Sequence, residues 1–254
     1  MAKNIRIIPT LHIKGPNVVK PVHTEALRVV GNPKELARRY YTEGADELIY
    51  LDIVASLYER NLDFDLLKAV TEDIFIPVTV GGGIRSVRDI NNALRSGADK
   101  VAINTFAIHH PEFLREAAQE FGSQCITLFI EAKKQPDGSY EAYTDGGREY
   151  SAVDAITWAK RAIDLGVGEI LVSSIDKDGT RKGYDLDLVK QITAFAPIPV
   201  IAHGGAGTLE SVAKAVTEGK ADAVSASSIF HYQEHSIGEV KEHLKEKGIS
   251  IRML

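Results

Sequence analysis

Two halves of this 254-residue chain echo each other at a fixed distance. Gly44-Ala45-Asp46-Glu47-Leu48-Ile49 returns as Gly166-Val167-Gly168-Glu169-Ile170-Leu171, and Pro77-Val78-Thr79-Val80-Gly81-Gly82-Gly83 returns as Pro199-Val200-Ile201-Ala202-His203-Gly204-Gly205, each 122 residues later. A third pair, Ala98-Asp99-Lys100-Val101 and Ala221-Asp222-Ala223-Val224, is displaced by 123. Near-constant offsets at three places indicate a duplicated unit, so the fold must be one that two similar halves complete together.

The unit is a strand followed by a helix. Short runs rich in Ile, Val and Leu fall near residues 5–11, 47–52, 76–81, 100–104, 125–131, 169–174, 199–203 and 222–226, which makes eight strands. Between them lie amphipathic segments such as Pro33 to Glu43, Val87 to Ser96, Pro111 to Phe121, Asp154 to Leu165 and Leu209 to Glu218. Glycines able to end a helix follow at Gly44, Gly97, Gly122, Gly166 and Gly219. Alternation of this kind implies parallel strands with helices outside. Closing eight such strands into a barrel satisfies every strand edge, whereas an open sheet would not explain the symmetry. The expected fold is a single (β/α)8 TIM barrel over residues 1–254, built from two similar half barrels. No linker or composition shift divides the chain.

Composition narrows the function classes. With 44% hydrophobic and 26% charged residues the chain is an ordinary globular protein rather than a disordered one. Thirty Lys plus Arg against 35 Asp plus Glu leave a formal charge of -5, so the basic surplus of a general nucleic-acid binder is missing. The lone Cys125 forbids an internal disulfide. Neither a signal-peptide-like start nor an apolar run of about 20 residues is present. No nucleic acid, no membrane and a cytoplasmic location are the expectations.

Catalysis in such barrels sits at the C-terminal ends of the strands. Gly81-Gly82-Gly83 follows the third strand and Gly204-Gly205-Ala206-Gly207 follows the seventh. Each is followed one unit later by a polar strand end, Asn104-Thr105 or Ser225-Ala226-Ser227-Ser228, that could open a short helix toward an anion. Glycine also serves tight turns, but two such runs at symmetric positions favour phosphate. Their opposed placement suggests a ligand with a phosphate at each end.

Between the two runs stand titratable groups. Period-two alternation puts Arg6, Ile8, Thr10 and His12 on one face of the first strand, and Thr127, Phe129 and Glu131 on one face of the fifth. If these faces point inward, His12 and Glu131 look across the mouth as a general acid and base, with a solvated rim pair as the alternative. Asp52 and the run Asp176-Lys177-Asp178-Gly179-Thr180 lie at strand ends, suited to ribose hydroxyls or to turn-making. His203 is a third titratable group at the mouth. A metal held by His12, His203 and Glu131 has a known ligand chemistry, but no spacing rule supports it. At the opposite end Arg6, Glu47, Lys100 and Glu169 begin four strands on the inward face, where charges of alternating sign would form a ring across the floor.

On these segments, together with Ile84-Arg85-Ser86, Phe121-Gly122-Ser123-Gln124-Cys125 and Ser227-Ser228-Ile229-Phe230-His231, the chain from Arg6 to Arg252 resembles the HisF family, the cyclase subunits of imidazole glycerol phosphate synthase. The resemblance implies a subunit that receives ammonia from a HisH-like glutaminase partner, as a heterodimer, and uses it on a bis-phosphorylated ribonucleotide without any cofactor. It implies a gate at Arg6, Glu47, Lys100 and Glu169, and a partner-facing Asp99. It implies phosphate contacts at Gly82, Asn104, Thr105, Gly205 and the Ser225 to Ser228 segment, which includes Ser227 and Ser228, with Lys20 matching a loop lysine; Asp52, Gly83, Ser173, Asp178, Gly179, His203 and Gly204 join them as candidate substrate contacts by their place at the strand ends.

The sequence departs from the family where the reaction would occur. Two catalytic aspartates of the family are here His12 and Glu131, His203 replaces a small hydroxylated residue, and Ser173 stands where threonine is common. Three readings follow. The chain is a cyclase that tolerates the exchange, or a paralogue that passes ammonia to another acceptor, like the HisF-like subunits found with sugar amidotransferases of surface-glycan synthesis, or a non-catalytic conduit that holds the glutaminase active. The sugar isomerase that shares the half-barrel duplication has no glutaminase partner and thus no reason for the charged floor.

Overall fold

The computed structural model describes residues 4–253. Among them twelve strands form in chain order: β1 Arg6–Lys14, β2 Asn17–Val22, β3 Glu25–Gly31, β4 Leu48–Asp52, β5 Val78–Gly81, β6 Lys100–Ile103, β7 Ile126–Lys134, β8 Tyr140–Thr144, β9 Glu149–Asp154, β10 Glu169–Ser174, β11 Val200–His203 and β12 Ala223–Ala226. Eight of them, in the order β10-β11-β12-β1-β4-β5-β6-β7, pair side by side, and β7 pairs back with β10. The ladders along this path are all parallel, from Arg6 opposite Ala223 to Glu169 opposite Thr127. The sheet is therefore a closed (β/α)8 barrel, and the eight strands are the eight expected from the sequence.

Helices between the strands cover the outside, and their ends are specified locally. Asn32 caps the helix Pro33–Thr42, its side chain accepting from the Lys34 and Glu35 amides. Thr208 with Ser211, and Ser236 with Glu239, form reciprocal capping boxes at Leu209–Thr217 and Ile237–Glu246. Gly44, Gly97, Gly122 and Gly166 take positive φ after their helices as expected, but Gly219 does not; there Lys220 carries the left-handed turn at φ 59°. A Cβ at Gly219 would lie 2.6 Å from the Ala215 carbonyl oxygen, so this glycine is required for close approach rather than for handedness.

The alternation of strand side chains divides the apolar core in two. The larger part, including Leu11, Tyr40, Leu128 and Trp158, packs strands against helices. The smaller part, built around Ile8, Ile49, Leu51, Leu171 and Ile201 with Phe129 against it, fills the barrel interior. The repeated Gly-Ala-Asp motif has a structural use here. Asp46, Asp99 and Asp222 each accept from the backbone N–H of a neighbouring strand, at Ile7, Val78 and Val200, all at 2.8 Å. In the fourth copy Gly168 replaces the aspartate, because a Cβ there would lie 2.2 Å from the Ser123 carbonyl oxygen.

Two antiparallel hairpins were not anticipated. β2 and β3 lead out of β1, with His12 opposite Val19, and β8 and β9 lead out of β7, with Glu131 opposite Tyr143. Both extend the C-terminal ends of opposed barrel strands and so rise over the mouth. Among the described residues no helix is long and apolar enough to cross a membrane.

Candidate active site at the barrel mouth

Both glycine runs close against the barrel in the same way. Gly82 has φ 100°, and a Cβ there would lie 2.2 Å from the Asp52 carbonyl oxygen; Gly205 has φ 102°, and its Cβ would lie 2.2 Å from the Gly183 carbonyl oxygen. Only glycine fits either position. Gly82 and Gly83 line one pocket together with Asn104 and Thr105, which open the short helix Thr105–His109. Gly204 and Gly205 line a second pocket with Ser227 and Ser228, where the short helix Ser228–His231 begins. Lys20, on β2, reaches into this second pocket from the hairpin and forms a buried ion pair with Asp178 at 3.0 Å, and Gly179 lies beside it.

A third pocket joins the two. It holds His12, Ser173, Asp178, His203 and Glu131; it shares Glu131 and Gly146 with the first pocket and Asp178 and His203 with the second. The empty volumes are about 490, 360 and 210 Å³ for the first, middle and second pockets. The sequence-expected residues therefore form one trough with a cradle at each end. Asp52 faces the first cradle but is engaged, accepting from Arg60 at 2.7 Å and from the Val54 amide at 3.2 Å, so it serves as a turn and ion-pair residue.

His12 and Glu131 both point inward and both line the middle pocket, as the alternation required. His12 is 5% exposed and Glu131 8%. Glu131 accepts from the Asn104 side-chain amide at 2.9 Å, and burial pushes its carboxyl up to about 8, the Asn104 bond opposing the shift. Burial, with help from Lys20, holds His12 well below the ordinary histidine range. His203 is likewise lowered by burial, to about 4. Near neutral pH the pocket thus holds neutral imidazoles beside a protonated carboxyl, a combination able to give and to take a proton.

The two imidazoles are neighbours, their ring centroids 5.4 Å apart and set edge to face. They reach toward one another over β12, whose Ser225 is fully buried. The Ser225 hydroxyl bonds His203 Nδ1 at 3.2 Å and also pairs with the Thr10 hydroxyl, which fixes the imidazole ring and leaves His203 Nε2 without a partner. His12 Nδ1 and Asn104 Oδ1 are buried and unpaired as well. Three orphaned polar atoms along one trough suit a site that completes its hydrogen bonds with a ligand. Among the described residues no group of three His, Cys, Asp or Glu side chains is placed to hold a metal ion.

The floor ring is closed. Arg6 contacts Glu47 at 2.6 Å and Glu169 at 2.8 Å, and Lys100 contacts the same two carboxylates at 3.1 and 3.0 Å. Each charge meets two of opposite sign. The apolar cluster of the barrel interior, around Ile8, Ile49, Leu171 and Ile201, lies between this floor and the mouth. Asp99, next to Lys100 in the chain, is exposed, and its carboxylate accepts from the Val78 amide.

Of the groups that the hairpins contribute, only Lys20 is among those expected from the sequence. Arg148 donates to the Asp145 carbonyl at 3.1 Å and across to the Thr24 carbonyl at 2.9 Å, linking the tips of both hairpins over the trough. The Asp145 amide donates to the Thr105 hydroxyl at 3.0 Å, placing the β8–β9 turn on the first cradle. The available signal was the alternating run Tyr140 to Thr144, the Asp145-Gly146-Gly147 turn and the run from Glu149 onward. Tyr40 and His231, bonded at 2.5 Å, tie the short helix of the second cradle to the helix Pro33–Thr42.

Residues 6–236 match the family described as histidine biosynthesis protein.

Proposed function

The chain belongs to the histidine biosynthesis protein family, and from that premise we propose that it is the ammonia-using subunit of a glutamine amidotransferase complex, of the imidazole glycerol phosphate synthase type. In this reading a glutaminase docks at the floor beside Asp99 and releases ammonia at the Arg6, Glu47, Lys100 and Glu169 ring. Ammonia crosses the apolar interior and meets a phosphorylated ribonucleotide-type substrate at the mouth. The observation that carries this reading is the trough with a glycine cradle at each end, set above a closed ring of four charges.

The residues divide the work as follows. The two cradles hold the terminal phosphates through backbone amides, with Lys20 as the cation of the second. Glu131, protonated near neutral pH, is the group able to give a proton, and the neutral His12 the group able to take one. Low dielectric in the trough strengthens each of these contacts and keeps water from the reacting atoms.

A second reading is favoured by one specific observation. The middle pocket carries two neutral imidazoles, His12 and His203, where the resembling family has a carboxylate and a small hydroxylated residue. Such a centre suits a paralogue that passes ammonia to another acceptor, as with a sugar amidotransferase of surface-glycan synthesis, or that acts as a conduit alone. One experiment separates the readings: ammonium and the bis-phosphorylated ribonucleotide are supplied and imidazole product is sought. Robust turnover supports the cyclase and removes the paralogue. No turnover, with activity recovered on restoring aspartate at positions 12 and 131, supports the altered centre.

A further inference from the structure

The geometry of Asn104 points to a proton-linked anion site: we propose that an anion entering the first cradle takes the Asn104 amide from Glu131, and that Glu131, where it is ionised, picks up one proton from solvent as the anion arrives. The proposal rests on the reading of Gly82, Gly83, Asn104 and Thr105 as an anion cradle, and adds how that cradle is regulated.

Asn104 has two side-chain N–H bonds, and both are engaged. One goes to Glu131 Oε2 at 2.9 Å and the other to the Tyr143 carbonyl at 3.0 Å. The second partner is backbone within the β7–β8 ladder and is fixed there, since Tyr143 pairs with Glu131 across the strands. Glu131, a side chain lining the same pocket as Gly82 and Gly83, is the partner an incoming anion displaces.

A carboxylate in that position has little else to stabilise it. Asp178 and Asp145 face it with like charge, and Arg148 is the opposing cation, but the Arg148 guanidinium is spent on the carbonyls of Asp145, Gly146 and Thr24. On the remaining sides, Asp52 is paired with Arg60, Lys20 with Asp178, and the imidazoles of His12 and His203 are uncharged near neutral pH. Losing the Asn104 bond while gaining an anion as neighbour removes one stabilising contact and adds one repulsion, and burial already raises the Glu131 carboxyl to about 8. Protonation resolves both, because the neutral carboxyl turns from competing acceptor into a donor to the anion. Above pH about 8, where Glu131 is otherwise ionised, the cradle then loads the acid of the site as it fills; near neutral pH Glu131 already carries that proton. Above pH about 8 the anion affinity falls up to tenfold per pH unit, and below it the affinity is flat.

The test is isothermal titration calorimetry of the full chain with inorganic sulfate, which has no proton to exchange in this range, in paired buffers of different ionisation enthalpy. Proton uptake should rise from near zero at pH 6.5 to more than about half a proton per bound sulfate at pH 9. Glu131→Gln should abolish the uptake and bind sulfate with no fall in affinity at high pH. Infrared difference spectra of the unsubstituted protein at pH 9 provide a second measurement, with a carboxylate band lost and a protonated carboxyl band gained on adding sulfate. Binding without uptake, or uptake that persists in Glu131→Gln and so belongs to the Lys20 amine of the second cradle, overturns the proposal. No sulfate binding at pH 6.5 overturns the cradle reading itself.

Discussion

The buried imidazoles at the second cradle make a strong prediction about acid stability. His203 and His231 are 5% and 7% exposed, and burial lowers them from 6.5 to about 4 and about 3 respectively. In the unfolded chain both return to the ordinary range and bind protons below pH 6.5, whereas the folded chain keeps them neutral. The unfolded state therefore holds more protons below that point, and folding stability falls as pH drops from about 6.5 toward 4. At roughly 1.4 kcal/mol per pH unit, each group costs about 2 kcal/mol by pH 5. His12 is lowered too and acts in the same direction. Urea unfolding at pH 7 and pH 5, followed by far-ultraviolet circular dichroism, measures the loss. A His203→Gln, His231→Gln double variant should lose about 4 kcal/mol less than the unsubstituted protein between the two pH values, since all other titrations cancel in the difference. Equal losses in the two proteins would refute the reasoning.

The remaining predictions concern other parts of the molecule. Glu131 is raised rather than lowered, so the stability it contributes is present at low pH and is lost as pH climbs from about 4.5 to about 8; Glu131→Gln should be the more stable protein at pH 9 by a few kcal/mol, read from the same urea curves. Lys100→Met leaves Glu47 and Glu169 sharing only Arg6, and should cost about 3–5 kcal/mol; adding Glu169→Gln should recover part of it, and a double-mutant cycle with no coupling would contradict the ring. Gly82→Ala meets both a backbone clash and a φ of 100°, so sulfate binding should drop at the first cradle, while Gly238→Ala, with no positive φ and only the Ser236 hydroxyl oxygen at 3.9 Å, should leave it unchanged. Tyr40→Phe removes the bond to His231 and should cost about 1 kcal/mol in thermal unfolding.

How much of the site could be read in the chain follows the length scale of the signal. His12, Glu131 and the floor charges were assigned to the interior by counting alternate residues, and the barrel obeyed that count because neither β1 nor β7 is interrupted by a bulge before its site residue. The Asn104–Glu131 bond was not legible. Those residues are 27 apart in sequence, and their contact depends on the register of β6 against β7. Nor was the shift of Glu131, which arises from burial beneath a hairpin whose strands the sequence reading passed over.

By itself, then, the sequence determined the architecture and the two ends of the trough. A repeat at a constant offset, a strand period of two and glycines at symmetric positions are local or periodic properties, and no long-range information is needed to read them. Only the tertiary structure decided the chemistry between those ends. It closed the ring of Arg6, Glu47, Lys100 and Glu169, set His12 against His203, tied Lys20 to Asp178 and put Glu131 in competition for Asn104. Proton affinities in a buried site depend on which groups lie within a few ångströms and how much water is excluded, and barrel closure fixes both at once.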